Sequence, residues 1–116
     1  MTERPYASPV REVRWAGRTA VADIQGDIDL SRSVEFQQKL LLLLDQKPQK
    51  VVVNLTGVPY MDSSGVASLV KVLSRARKAG TALTLVGMSP RVKSLFQITR
   101  LDSVFQIMAT EEEAVS

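Results

Sequence analysis

The chain has 116 residues, with 15 Lys and Arg against 12 Asp and Glu for a net charge of +3, enough for one domain with its own core and too short for a second. Cysteine and histidine are both absent. That removes disulfides, thiol catalysis, the usual zinc ligands, the Ser-His-Asp constellation and histidine phosphotransfer.

Residues 1–9 carry Pro5 and Pro9 without periodicity and are expected to be a flexible N-terminal arm, with one folded domain over 10–116. Val10 to Trp15 and Thr19 to Gln25 are strand-like runs about Ala16-Gly17-Arg18, which predicts a hairpin. In the second run Ala20, Ala22 and Ile24 alternate toward one face. Ser31 is expected to N-cap a helix running to about Gln46 and stopped by Pro48, with Phe36, Leu40, Leu43 and Leu44 as its core stripe. Leu41 and Leu42 fall outside that stripe and either offer a contact surface or line a deeper groove in the core.

Val51-Val52-Val53-Asn54-Leu55 has the continuous β-branched pattern of a central strand covered on both faces. After it, Asp62 can N-cap a helix in which Ser63 is the first residue, beside amides that have no intrahelical partner. Phosphate there meets free N–H groups and the favourable dipole end. Val66, Leu69, Val70 and Leu73 repeat at helical spacing, and Gly80 stops the helix. Lys71, Arg75 and Lys78 lie on its other side, a basic stripe suited to steering an acidic partner or simply to meeting solvent. Gly65, at the third helical position, either lets a partner approach the serine or relieves crowding of helix against sheet. On the first reading, Gly65→Leu keeps the fold and abolishes partner binding.

Thr81 to Val86 predicts a further strand. Ser89-Pro90 then caps a helix with the stripe Val92, Leu95, Phe96 and Thr99. Val104 to Met108 is the last strand, and Thr110 with Glu111, Glu112 and Glu113 starts a helix stub. The order gives an α/β fold: a mixed, mostly parallel sheet of about five strands with three helices and a C-terminal helix stub. The turn holding Ser63 then lies at the carboxyl end of the central strand, where open α/β sheets place function.

Between Lys71 and Arg100 there are seven basic residues and no acidic one. No aromatic stacking platform interleaves with them, which argues against direct nucleic-acid binding. No apolar stretch approaches the roughly 20 residues of a membrane span, and the N-terminus lacks a signal-peptide layout, so a cytoplasmic location is expected. Apart from Asp62, which the cap employs, no base stands near Ser63 in sequence; no enzymatic activity, metal or cofactor is expected.

Four blocks resemble the STAS domain of anti-sigma factor antagonists, in that family's order and spacing over about residues 10 to 113. They are Gly26-Asp27-Ile28-Asp29, Val51 to Leu55, Tyr60-Met61-Asp62-Ser63-Ser64-Gly65-Val66, and Ser89-Pro90-Arg91-Val92-Lys93-Ser94-Leu95-Phe96. The resemblance implies a partner switch. The protein binds an anti-sigma factor that is also a serine kinase with an ATPase-like fold, and so regulates transcription indirectly. The kinase phosphorylates the serine corresponding to Ser63, and a PP2C-type phosphatase reverses this. Asp27, Asp62, Ser63, Ser64, Gly65 and Val66 are the implied partner-binding positions. Other members of the family serve as subunits docked on the ATPase of a phospholipid-transporting ABC complex, or in non-sigma signalling scaffolds.

Overall fold

The β-branched runs and amphipathic segments alternate along the chain and, in a computed structural model that describes residues 8–115, they stack as strands and covering helices. The elements are β1 (Val10–Ala16), β2 (Thr19–Gln25), α1 (Leu30–Leu44), β3 (Lys50–Gly57), α2 (Ser63–Ala79), β4 (Ala82–Val86), α3 (Pro90–Ile98), β5 (Gln106–Met108) and α4 (Glu111–Val115), with a 3-10 turn at Leu101–Ser103. The sheet runs β1-β2-β3-β4-β5. β1 is antiparallel to β2 and the remaining pairs are parallel, as the order of elements predicts. β3 is the middle strand.

Alternation along the strands divides the apolar residues between two faces. Ala20, Ala22, Ile24, Val51, Val53, Leu55, Leu83 and Leu85 meet α1, α2 and α3 in the main core, which includes Phe36, Leu69, Val72, Val92 and Phe96. Phe96 and Phe105 pack edge to face, with ring centres 5.5 Å apart. On the reverse face Val21, Val52 and Val86 are buried with Ala114 of α4.

A helix of five residues has too little apolar surface to hold itself in place, and polar contacts pin it. The Arg14 guanidinium donates to both carboxylate oxygens of Glu111 at 2.7 Å and to those of Asp23 at 2.8 and 3.0 Å. Asn54 adds a bond to Glu111 at 3.2 Å, and the Lys50 ammonium donates to the Ala114 carbonyl at 2.7 Å. At its start, Thr110 Oγ1 accepts from the Glu113 N–H and the Glu113 carboxylate accepts from Ala109 N–H, a reciprocal cap.

Several expectations are corrected. The first helix is capped by Asp29, whose carboxylate accepts from the Ser31 N–H at 3.0 Å and hydroxyl at 2.6 Å, so Ser31 is not the cap. Ile28 is tied to Met61 by a parallel bridge, and the chain turns into helix directly after it, which leaves Asp29 at the boundary. α1 ends at Leu44, short of Gln46. In α2 the buried stripe continues through Val72 and Ala76, while Val70 falls outside it. Thr99, the residue that ends α3, is exposed, and the 3-10 turn with Val104 precedes a three-residue β5. Of the expected arm, residues 1–7 lie outside the described residues. Ser8 and Pro9 are anchored, since the Pro9 carbonyl accepts from the Gln25 N–H at 2.8 Å and the Ser8 carbonyl from the Gln25 amide at 3.0 Å.

Arg14 holds the Glu111 carboxyl below its ordinary value of 4.5, against the opposing effect of burial. A depressed carboxylate contributes stability above the unfolded value and loses it as pH falls through the folded one. Arg14→Ala is therefore expected to cost about 1 to 3 kcal/mol near neutral pH, because Asp23 stays buried with a weaker partner. Urea melts across pH check this: the gap between the two proteins narrows as pH falls below 4.5.

Candidate functional site

Two loops meet at the carboxyl edge of the sheet. The Gly26 N–H donates to the Gly57 carbonyl, the Ile28 N–H to Tyr60, and the Asp62 N–H back to Ile28, at 2.9 to 3.1 Å. Stitched in this way, the loops set the N-termini of α1 and α2 side by side. Serines allow the two helices to approach: Ser68 Oγ donates to the Ser33 carbonyl at 3.1 Å and to that of Ser64 at 3.0 Å.

The helix starts repeat one design. Asp62 Oδ1 accepts from the Ser64 N–H at 2.9 Å, the Ser64 hydroxyl at 2.5 Å and the Gly65 N–H at 3.4 Å, matching Asp29 with Ser31. The Ser64 hydroxyl is the main reason that the Asp62 carboxyl sits below its ordinary value of 3.8. The N–H groups of Ser64, Gly65 and Leu30 add to this, and burial works against it.

Ser63 is the first residue of α2 and exposed, and its hydroxyl makes no hydrogen bond among the described residues. The hydroxyl of Ser64, one position on, is held by Asp62. The two serines are thus chemically distinct: one is presented to solvent, the other is committed to the cap. The neighbouring carboxylate, Asp62, accepts three bonds from its own helix start through Oδ1. Among the described residues no cluster of His, Cys, Asp or Glu is arranged to hold a metal ion.

The remaining sequence candidates separate. Asp27 is exposed in the neighbouring loop, and Asp62 is half-buried. Gly65 and Val66 are buried, so neither offers surface to a partner. A Cβ on Gly65 would lie 2.5 Å from Met61 Cγ, 3.0 Å from Ile28 Cγ2 and 3.2 Å from the Ile28 carbonyl oxygen. This decides between the two readings of Gly65: it admits the Ile28–Met61 bridge against the helix. Lys71, Arg75 and Lys78 are exposed along α2 away from Ser63, and Arg75 reaches Asp45 at 3.9 Å.

Sequence reasoning missed parts of the rim. Leu30 and Val34, one turn apart at the start of α1, are exposed beside the α2 N-terminus. Their spacing of four was the available signal. Arg91 of α3 lies over the Tyr60 ring at 5.5 Å, joining the third helix to the loop before Asp62.

The model of the STAS domain family matches residues 11–114. The chain belongs to the STAS domain family. It is 33% identical over 93 residues to the anti-sigma-B factor antagonist of Bacillus subtilis (strain 168), which covers 80% of this chain and 84% of that protein. Its fold is similar to that of an anti-sigma factor antagonist from Mycobacterium paratuberculosis, with a TM-score of 0.82 and 21% identity over 90% of this chain and 88% of that one. SpoIIAA has been solved in two forms, each 24% identical over 90% of this STAS chain. The unphosphorylated form gives a TM-score of 0.68 with 93% of that chain covered, and the phosphorylated Bacillus form 0.69 with 95%.

In this STAS domain Gly65→Leu is expected to lose at least about 1 to 3 kcal/mol, the usual cost of overpacking a filled site. Thermal melts followed by circular dichroism check it. A melting temperature equal to that of the wild type would return Gly65 to the docking surface.

Proposed function

We propose that this protein is an anti-sigma factor antagonist working by partner switching in the cytoplasm. Unphosphorylated, it binds an anti-sigma factor that is also a serine kinase with an ATPase-like fold, and so frees a sigma factor. The kinase phosphorylates Ser63, the complex parts, and a PP2C-type phosphatase resets the switch. The protein itself is a ligand in this cycle and not an enzyme, and it acts on transcription without touching nucleic acid. No helix among the described residues is long and apolar enough to cross a membrane.

One observation carries the reading: Ser63 presents an unengaged hydroxyl at a helix start, while Asp62 holds the hydroxyl of Ser64. Phosphate on Ser63 adds roughly 1.5 to 2 negative charges next to Asp62, on a surface that a partner would desolvate. The N-terminal dipole of α2 tolerates that charge, so the domain stays folded while its surface changes sign. A reversible switch needs both properties. The names of the relatives support the role, and SpoIIAA, solved with and without phosphate, is a neighbour in fold.

Incubation with the cognate kinase and ATP is expected to add one phosphate, mapped by peptide mass to Ser63. Ser63→Ala accepts none and remains bound to the kinase. Ser63→Asp weakens binding by roughly 1 to 3 kcal/mol, less than phosphate itself because its charge is smaller. Phosphate on Ser64, or on neither serine with a kinase that demonstrably binds, overturns the reading.

A further inference from the structure

α1 and α2 run side by side from their joined N-termini, and between their outer faces lies a groove lined by Leu41, Ala67, Val70, Lys71, Arg75 and Lys78, which opens one turn along α2 from Ser63. On α2 the residues Ser63, Ala67, Val70, Ser74 and Lys78 recur every three or four positions and share one stripe. On α1 the residues Leu30, Val34 and Leu41 form the facing stripe. Above the groove, toward the joined N-termini, the exposed side chains of α1 are apolar: Leu30 is 75% exposed and Val34 60%, with Val70 in the groove 41% exposed. The foot of the groove is cationic, with Lys71, Arg75 and Lys78 around Leu41, and Leu42, 63% exposed, adjoins Arg75. Lys71 and Lys78 have no ion pair among the described residues, and the Arg75–Asp45 pair, 3.9 Å apart and solvated, leaves most of the charge uncompensated.

We infer that this groove seats an acidic amphipathic helix of the partner kinase, its apolar side over Leu30, Val34 and Val70 and its carboxylates over Lys71, Arg75 and Lys78. The inference rests on the partner-switch reading. Fifteen residues of helix separate Ser63 from Lys78, about 22 Å, which suits a docked helix of roughly four turns. The lining is a concave seat between two helices, the form that takes a docked helix, whereas an amphipathic anchor lays a single helix face on a bilayer. A second copy of this chain fits poorly too, because its acidic run is engaged: Arg14 holds Glu111 and Glu113 caps α4. Ser63 stands at the apolar end above the groove, so its phosphate falls where the bound helix expels water, and it repels the acidic side of that helix.

Stopped-flow binding to the kinase that phosphorylates Ser63, from about 50 to 500 mM salt, tests this. The Lys71→Gln, Arg75→Gln, Lys78→Gln triple variant is expected to associate about tenfold more slowly at low salt, with a flatter salt dependence and an unchanged melting temperature. Val34→Gln with Val70→Gln dissociates several-fold faster at an unchanged association rate. Kinetics identical to wild type in both variants, with Ser63 still phosphorylated, overturn the groove and leave the switch standing. A kinase that binds no form of the protein overturns both. Loss in the triple variant of binding to phosphatidylglycerol vesicles, or of concentration-dependent dimerisation, with kinase kinetics unchanged assigns the groove to lipid or to a second copy and overturns the inference.

Discussion

Val51, Val52 and Val53 alternate across the middle strand and are all buried, so both faces of the sheet must be covered, and the two covers are built differently. Three helices close the main face with a continuous apolar core. Among the described residues the reverse face is covered by α4, whose one buried side chain is Ala114. A helix so short stays docked because Arg14 ties it to β2 through Asp23 and Asn54 ties it to β3. The polar cluster does for one side what hydrophobic burial does for the other.

Parallel strands joined by right-handed crossovers bring the start of each following helix to one edge of the sheet. Here that edge holds two helix N-termini joined by the Ile28–Met61 bridge. Each start has an aspartate accepting from the serine two residues on. The cap selects between the serines of α2. Asp62 takes the hydroxyl of Ser64 and leaves that of Ser63 to solvent, so a stabilising contact also determines which hydroxyl is presented.

Gly65 shows how closely stability and site are joined. Its missing side chain makes room for Met61 and Ile28, whose bridge sets the spacing of the two caps. A residue that in the sequence stands among the implied partner-binding positions therefore acts from beneath them. Val66 is likewise a core residue carried within the motif.

Local signals were strong enough to be legible in the chain alone. The hairpin about Gly17, the continuous run of β3, the cap at Asp62, Gly80 in the left-handed region and Ser89-Pro90 all rest on contacts within a few residues. The α/β order followed from them, and the candidate serine from its place at a helix start. What required the tertiary structure depends on residues distant in sequence. Asp29 replaces Ser31 as the cap because Ile28 pairs with Met61, thirty-three positions away by their numbering. Val70 leaves the core because α2 packs against α1 as well as the sheet, and helical spacing by itself does not say where a buried stripe is centred. The clamp from Arg14 to Glu111 spans 97 positions and has no local signature. Composition and periodicity thus determined the elements and their order, since those are set by short-range sterics and burial. The burial of Gly65 and Val66 and the approach of Leu30 and Val34 to the α2 N-terminus were decided only when the loops met at the sheet edge.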